Sequence, residues 1–151
     1  MKCFGKFITL SDVPNEIALS FCVAGCPLFC KGCSWNATPD KNEYDFDIKQ
    51  EIDKEPLVTC INFFGGEWLE DELVDYLKYA KEKKKATCLY TGLTLDEMKA
   101  QHPLIIPLLD YLKVGRWVEQ LGGLDNPNTN QIFYDLHTYT SLNFLFQKRE
   151  L

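Results

Sequence analysis

The sequence predicts an α/β protein whose mainly parallel sheet forms a partial (open) β/α barrel. Three observations predict it. Short, nearly unbroken apolar runs recur along the chain, the pattern of strands buried on both faces. The first three of these runs each stop at glycine, and the segments between them carry helix-start and helix-stop signals. Strand, loop and helix follow one another in that order, which implies parallel pairing through right-handed crossovers.

The first run is Ile17-Ala18-Leu19-Ser20-Phe21-Cys22-Val23-Ala24, ending at Gly25. Residues 45–54 are polar apart from Phe46, Ile48 and Ile52, and predict a short helix stopped by Pro56. Leu57-Val58-Thr59-Cys60-Ile61-Asn62-Phe63-Phe64 is the second strand, ended by Gly65-Gly66. Residues 68–84 form the clearest helix: Leu69, Leu73, Leu77 and Ala80 recur at helical spacing, with acids early and lysines late. Residues 86–91 are the third strand, stopping at Gly92. Thr94 and Glu97 have capping-box spacing, so a helix begins there and ends near His102-Pro103. Residues 109–114 and 131–136 are the fourth and fifth strands. Residues 126–130 are a turn-rich loop rather than a domain boundary, and the 151 residues suit one domain, 1–151.

The net charge of −6 argues against a broad phosphate-binding surface, so nucleic acid is not an expected partner. The basic run of residues 81–85 suits a solvated helix end. No stretch approaches the roughly 18 consecutive apolar residues of a membrane span. The start, Met1-Lys2-Cys3-Phe4-Gly5-Lys6, lacks a signal-peptide core. The expectation is a cytoplasmic protein with reduced thiols and no membrane partner.

In α/β sheets, ligands gather at the carboxyl ends of the strands. Here those ends carry Cys26 to Cys33, Gly65-Gly66-Glu67, Thr91-Gly92 and Gly115-Arg116. Cys26, Cys30 and Cys33 stand at C-x3-C-x2-C spacing on a loop, where Gly25 and Gly32 let the backbone bend around one centre. A structural zinc site normally takes a fourth ligand. Cys22, Cys60 and Cys88 lie inside apolar runs as small hydrophobes, Cys3 is remote, and His102 and His137 fall in distant segments, although either histidine folding back would complete a zinc site. A cuboidal iron–sulfur cluster held by three cysteines leaves one iron open, and S-adenosylmethionine chelates such an iron through its amino and carboxylate groups.

The cysteine loop after the first strand, followed by Gly65-Gly66-Glu67 after the second, resembles the radical S-adenosylmethionine superfamily. Over most of its length the chain is similar to the activating enzymes of class III anaerobic ribonucleotide reductase. The matching pieces are Gly25-Cys26, Cys30-Lys31-Gly32-Cys33, Asn36, Phe64-Gly65-Gly66-Glu67, Tyr90-Thr91-Gly92, the segment from Leu109 to Trp117, and Asn130-Gln131-Ile132. The resemblance implies that Cys26, Cys30 and Cys33 ligate a [4Fe-4S] cluster. It also implies that Gly65, Gly66 and Glu67 meet the methionine amino group of S-adenosylmethionine, with Thr91 and Gly92 on the same rim. Trp35 either stacks on adenine or packs beneath the cluster loop. The implied reaction produces a glycyl radical on the large subunit of anaerobic ribonucleotide reductase, with electrons from a flavodoxin- or ferredoxin-type donor. Two departures stand out. Asp12-Val13-Pro14-Asn15-Glu16 occupies the place of a frequent Gly-Pro-Gly and Arg, and Trp68 follows Glu67 where proline is common, filling a core position at the helix start.

Overall fold

The computed structural model describes residues 1–33 and 42–147. Among the described residues eight strands form one sheet: β1 (Lys2–Thr9), β2 (Ala18–Val23), β3 (Tyr44–Asp45), β4 (Cys60–Phe64), β5 (Ala86–Tyr90), β6 (Tyr111–Val114), β7 (Ile132–Asp135) and β8 (Thr140–Ser141). The α-helices among the described residues are α1 (Ile48–Asp53), α2 (Glu70–Glu82) and α3 (Leu95–Gln101). The strand order is β3-β1-β2-β4-β5-β6-β7-β8. Among the described residues, no helix is long and apolar enough to cross a membrane.

The centre of the sheet follows the sequence pattern. All six residues of β2 are buried, and β2, β4, β5 and β6 pair in parallel. Their register aligns Cys22 with Phe64, Phe64 with Tyr90, and Tyr90 with Lys113, so four carboxyl ends open onto one rim. Alternation then assigns the faces. Leu19, Phe21, Ile61, Phe63, Leu89 and Leu112 pack beneath the helices with Ile48, Ile52, Leu73, Leu77 and Met98. On the other face Ala18, Cys60, Cys88 and Phe133 gather with Val13 and Leu124.

The flanks differ from expectation. The sheet is open and only partly parallel, because β1, β3, β7 and β8 all pair antiparallel. In β1 only Cys3 is buried, so the strand leaves no apolar run in the sequence. β7 reverses direction because residues 115–131 contain no helix to carry a parallel crossover. The expected helix at 68–84 opens as a 3-10 turn over Glu67–Leu69 before α2 begins. The capping box forms as predicted: Thr94 Oγ1 accepts from Glu97 N and Glu97 Oε1 accepts from Thr94 N, both at 3.2 Å. Residues 12–16 take a structural role on the inner face. Ser20 Oγ donates to Asp12 Oδ2 at 2.8 Å, the Tyr90 hydroxyl donates to the Asp12 carbonyl, and Val13 is fully buried.

Candidate functional site

The rim carries one cavity of about 450 Å³, lined by Cys26, Cys30 and Cys33 together with Glu67, Thr91, Lys113 and others. The loop leaving β2 turns at Gly25 (φ 90°) and Gly32 (φ 75°), conformations in which glycine avoids the Cβ penalty. Cys33 N donates to the Cys30 carbonyl at 3.1 Å, closing the turn that presents both thiols to the cavity. All three cysteines are partly exposed, as ligands to an added group must be. Leu28 anchors the loop: a Cβ on Gly92 would lie 2.5 Å from Leu28 Cδ1. That packing, rather than flexibility, explains the glycine at the end of β5.

The turn after β4 is built around Trp68. Gly65 and Gly66 both have positive φ (83° and 109°), and Gly65 N donates to the Tyr90 carbonyl at 2.8 Å. A Cβ on Gly65 would stand 2.5 Å from Trp68 Cη2, so the indole lies directly over this glycine. Trp68 is partly buried: it packs against the core rather than filling a position within it, and also forms part of the cavity wall.

Glu67 is only 4% exposed. Its Oε1 accepts from Thr91 Oγ1 at 2.8 Å, and Thr91 Oγ1 accepts in turn from Leu93 N at 3.1 Å. Oε2 is buried with no partner among the described residues. Burial raises the Glu67 pKa, opposed by the Thr91 hydrogen bond. A buried carboxylate oxygen without a donor is costly, and a ligand ammonium would satisfy it. The structure therefore joins Glu67 and Thr91, which the sequence placed only on the same rim. Gly65 and Gly92 line the cavity beside them, Gly66 does not and turns toward Val23 and Met1, and Trp35 lies outside the described residues.

Sequence reasoning does not single out Lys113, yet among the described residues lining this cavity it is the cation. It is 7% exposed, and burial lowers its pKa to about 8, opposed by Glu67 and the three thiols. Its Nζ donates to the Gly115 carbonyl at 3.0 Å and lies 5.9 Å from the centre of the Tyr90 ring. The alternation along β6 carries the signal: Tyr111 and Lys113 face opposite to Leu112 and Val114.

The other cysteines behave as the sequence suggested. Cys3, Cys60 and Cys88 are fully buried, and burial raises the pKa of each, to about 12 for Cys3. Cys22 is 2% exposed within β2. Neither histidine lines the cavity: His102 Nδ1 lies 3.3 Å from Glu70 Oε1, and His137 Nε2 lies 2.8 Å from Asp110 Oδ1. Among the described residues, no three His, Cys, Asp or Glu side chains are grouped to hold a single metal ion. A cuboidal cluster takes one thiolate per corner iron, so its ligands line a wall rather than converge on a point. The soft three-thiol donor set and the glycine-bent loop fit such a group.

Comparison with families of known proteins agrees on the cluster. A family model described as a 4Fe-4S single cluster domain matches residues 17–131. That span contains every residue lining the cavity, from Val23 to Gln131. Comparisons with curated proteins and with solved structures gave no match. A family match over most of the chain, with the loop cysteines on one cavity wall, identifies this protein as a member of the 4Fe-4S single cluster domain family.

Proposed function

We propose that the protein is a radical S-adenosylmethionine activase that generates a glycyl radical on the large subunit of an anaerobic ribonucleotide reductase. One observation carries the reading: a buried Glu67 with an unpartnered Oε2 shares a single cavity with Cys26, Cys30 and Cys33. Three cysteines alone would serve any cluster protein. A buried acceptor beside them calls for a ligand with a donor, and the amino group of S-adenosylmethionine is such a donor.

In this reading Cys26, Cys30 and Cys33 hold the cluster. When bound, the cluster supplies the electron that cleaves the sulfonium of S-adenosylmethionine to methionine and a 5′-deoxyadenosyl radical, which takes a hydrogen atom from a glycine α-carbon. Glu67 Oε2 accepts from the amino group, and Thr91 fixes the carboxylate through Oε1. Gly65 brings backbone to the cavity wall beside the ligand, and Gly66 allows the turn that places Glu67 there. Leu28, Trp68 and Tyr90 line the cavity as its apolar wall, limiting water around the reacting atoms. The sheet serves as the wall of an open partial barrel, whose gap admits a polypeptide loop. A flavodoxin- or ferredoxin-type protein supplies the electrons.

The test is electron paramagnetic resonance of the protein mixed anaerobically with its reductase, a reductant and S-adenosylmethionine. A glycyl radical signal on the reductase that vanishes with Cys30→Ala supports the proposal. A protein that cleaves S-adenosylmethionine but leaves the reductase silent would shift the target to another glycyl-radical enzyme or a small molecule.

A further inference from the structure

The cavity has a second wall with a different chemistry. Trp117 follows β6 and Gln131 precedes β7, across the strand order from the cysteine loop. Trp117 Nε1 is buried and has no hydrogen-bond partner among the described residues. An indole N–H is a donor only, so this atom requires an acceptor that the described chain does not supply. Gln131 is 7% exposed. Its backbone is already engaged, because N donates to Thr129 Oγ1 at 3.1 Å and the carbonyl accepts from Asn143 Nδ2 at 2.8 Å. Gln131 is one of the residues that line the cavity.

The two groups are held as one surface. Lys113 Nζ on the Gly115 carbonyl and Asn130 Nδ2 on the Arg116 carbonyl (both 3.0 Å) pin the turn that leads to Trp117. A side chain at Gly115 (φ 102°) would lie 3.1 Å from the Asn130 carbonyl oxygen, so this turn packs tightly on residues 130–131. A Cβ at Gly123 would sit 3.6 Å from Trp117 Cζ3, 3.6 Å from Asp125 Oδ1 and 3.9 Å from Gln131 Oε1, placing the three side chains around one point.

The residues that bring this wall to the cavity, Gly115, Trp117 and Gln131, carry no charge. Glu67, Lys113 and the thiols suit charged or metal-bound groups, whereas an indole N–H and a primary amide on one wall match a neutral group that both donates and accepts. A peptide bond is that group. We infer that Trp117 and Gln131 read the backbone of the polypeptide substrate, the indole N–H donating to one carbonyl and the Gln131 amide pairing with a neighbouring peptide unit. They are positioning residues for the incoming glycine segment. The inference rests on the activase reading, in which a polypeptide enters this cavity.

The test uses the cluster-loaded protein and a radiolabelled, end-capped oligopeptide of alternating glycine and serine, measured by equilibrium dialysis. The native protein binds it saturably. Trp117→Phe keeps the ring and loses the N–H, Gln131→Leu keeps the volume and loses the amide, and each weakens binding ~5-fold, the value of one neutral hydrogen bond. Both variants retain native affinity for S-adenosylmethionine. No saturable binding to the native protein, or variants that bind the peptide like the native chain, would overturn the inference. Variants that lose S-adenosylmethionine affinity instead would assign the wall to the cosubstrate and overturn it as well. Formation of 5′-deoxyadenosine by the same native sample separates the two levels: product without peptide binding refutes this inference alone, and no product refutes the activase reading.

Discussion

Replacing Glu67 by glutamine separates what the carboxylate does for the fold from what it does for a ligand. The glutamine carbonyl can keep the 2.8 Å hydrogen bond from Thr91, so the local geometry persists. The unpartnered Oε2 position becomes an NH2 group, which cannot accept from an ammonium. A hydrogen bond to a charged group is worth about 1.5–3 kcal/mol, so Glu67→Gln should weaken S-adenosylmethionine binding ~10- to ~150-fold. Stability should move the other way. Burial raises the Glu67 pKa in the folded protein above its unfolded value, so at pH values between the two the native state binds more protons than the unfolded chain. Native stability is then fully present below the unfolded carboxylate range and falls as pH rises through the raised pKa. Glutamine removes that loss, so the ligand-lacking variant should melt at a higher temperature than the native protein near pH 8 and show a flatter pH profile. Anaerobic equilibrium dialysis against S-adenosylmethionine and thermal melts at several pH values read both effects. A variant that binds within about two-fold of native would refute the assignment of Oε2 to the amino group.

Further perturbations test the surrounding architecture. Gly65→Ala forces a side chain into a positive-φ position and onto Trp68, and should cost about 2–5 kcal/mol from backbone strain and overpacking together. Trp68→Leu in the same chain should recover part of that in urea unfolding, and strictly additive effects would contradict the stacked geometry. Cys30→Ala should abolish cluster loading, whereas Cys60→Ala, in the inner core, should leave iron and sulfide content at the native level, and iron lost from the Cys60 variant would contradict the assignment. Thr94→Ala removes the capping box of α3 and should lower stability by about 1 kcal/mol without altering cluster content.

Much of the site was legible in the sequence because its signals are local. The C-x3-C-x2-C loop, the glycines at the strand ends and the Thr94–Glu97 cap depend on residues a few positions apart, and each sits where spacing put it. The parallel centre was legible for the same reason, since β2, β4 and β5 are apolar runs separated by helices. What escaped depends on register or on partners distant in sequence. The Thr91–Glu67 hydrogen bond exists only once β4 and β5 align Phe64 with Tyr90. Leu28 over Gly92 and Trp68 over Gly65 show why those glycines are needed, but only after the loops have folded back. Lys113 hid inside an apolar strand, and its face was visible only by alternation. β1 buries only Cys3, and β7 reverses for want of a crossover helix, so neither followed from hydrophobic runs.

The most direct test of the account is formation of 5′-deoxyadenosine by the anaerobically reconstituted protein with S-adenosylmethionine and dithionite. The account predicts product from the native chain and none from Cys33→Ala. A protein shown to carry a full cluster that yields no 5′-deoxyadenosine would contradict it, leaving a cluster-binding domain without radical chemistry.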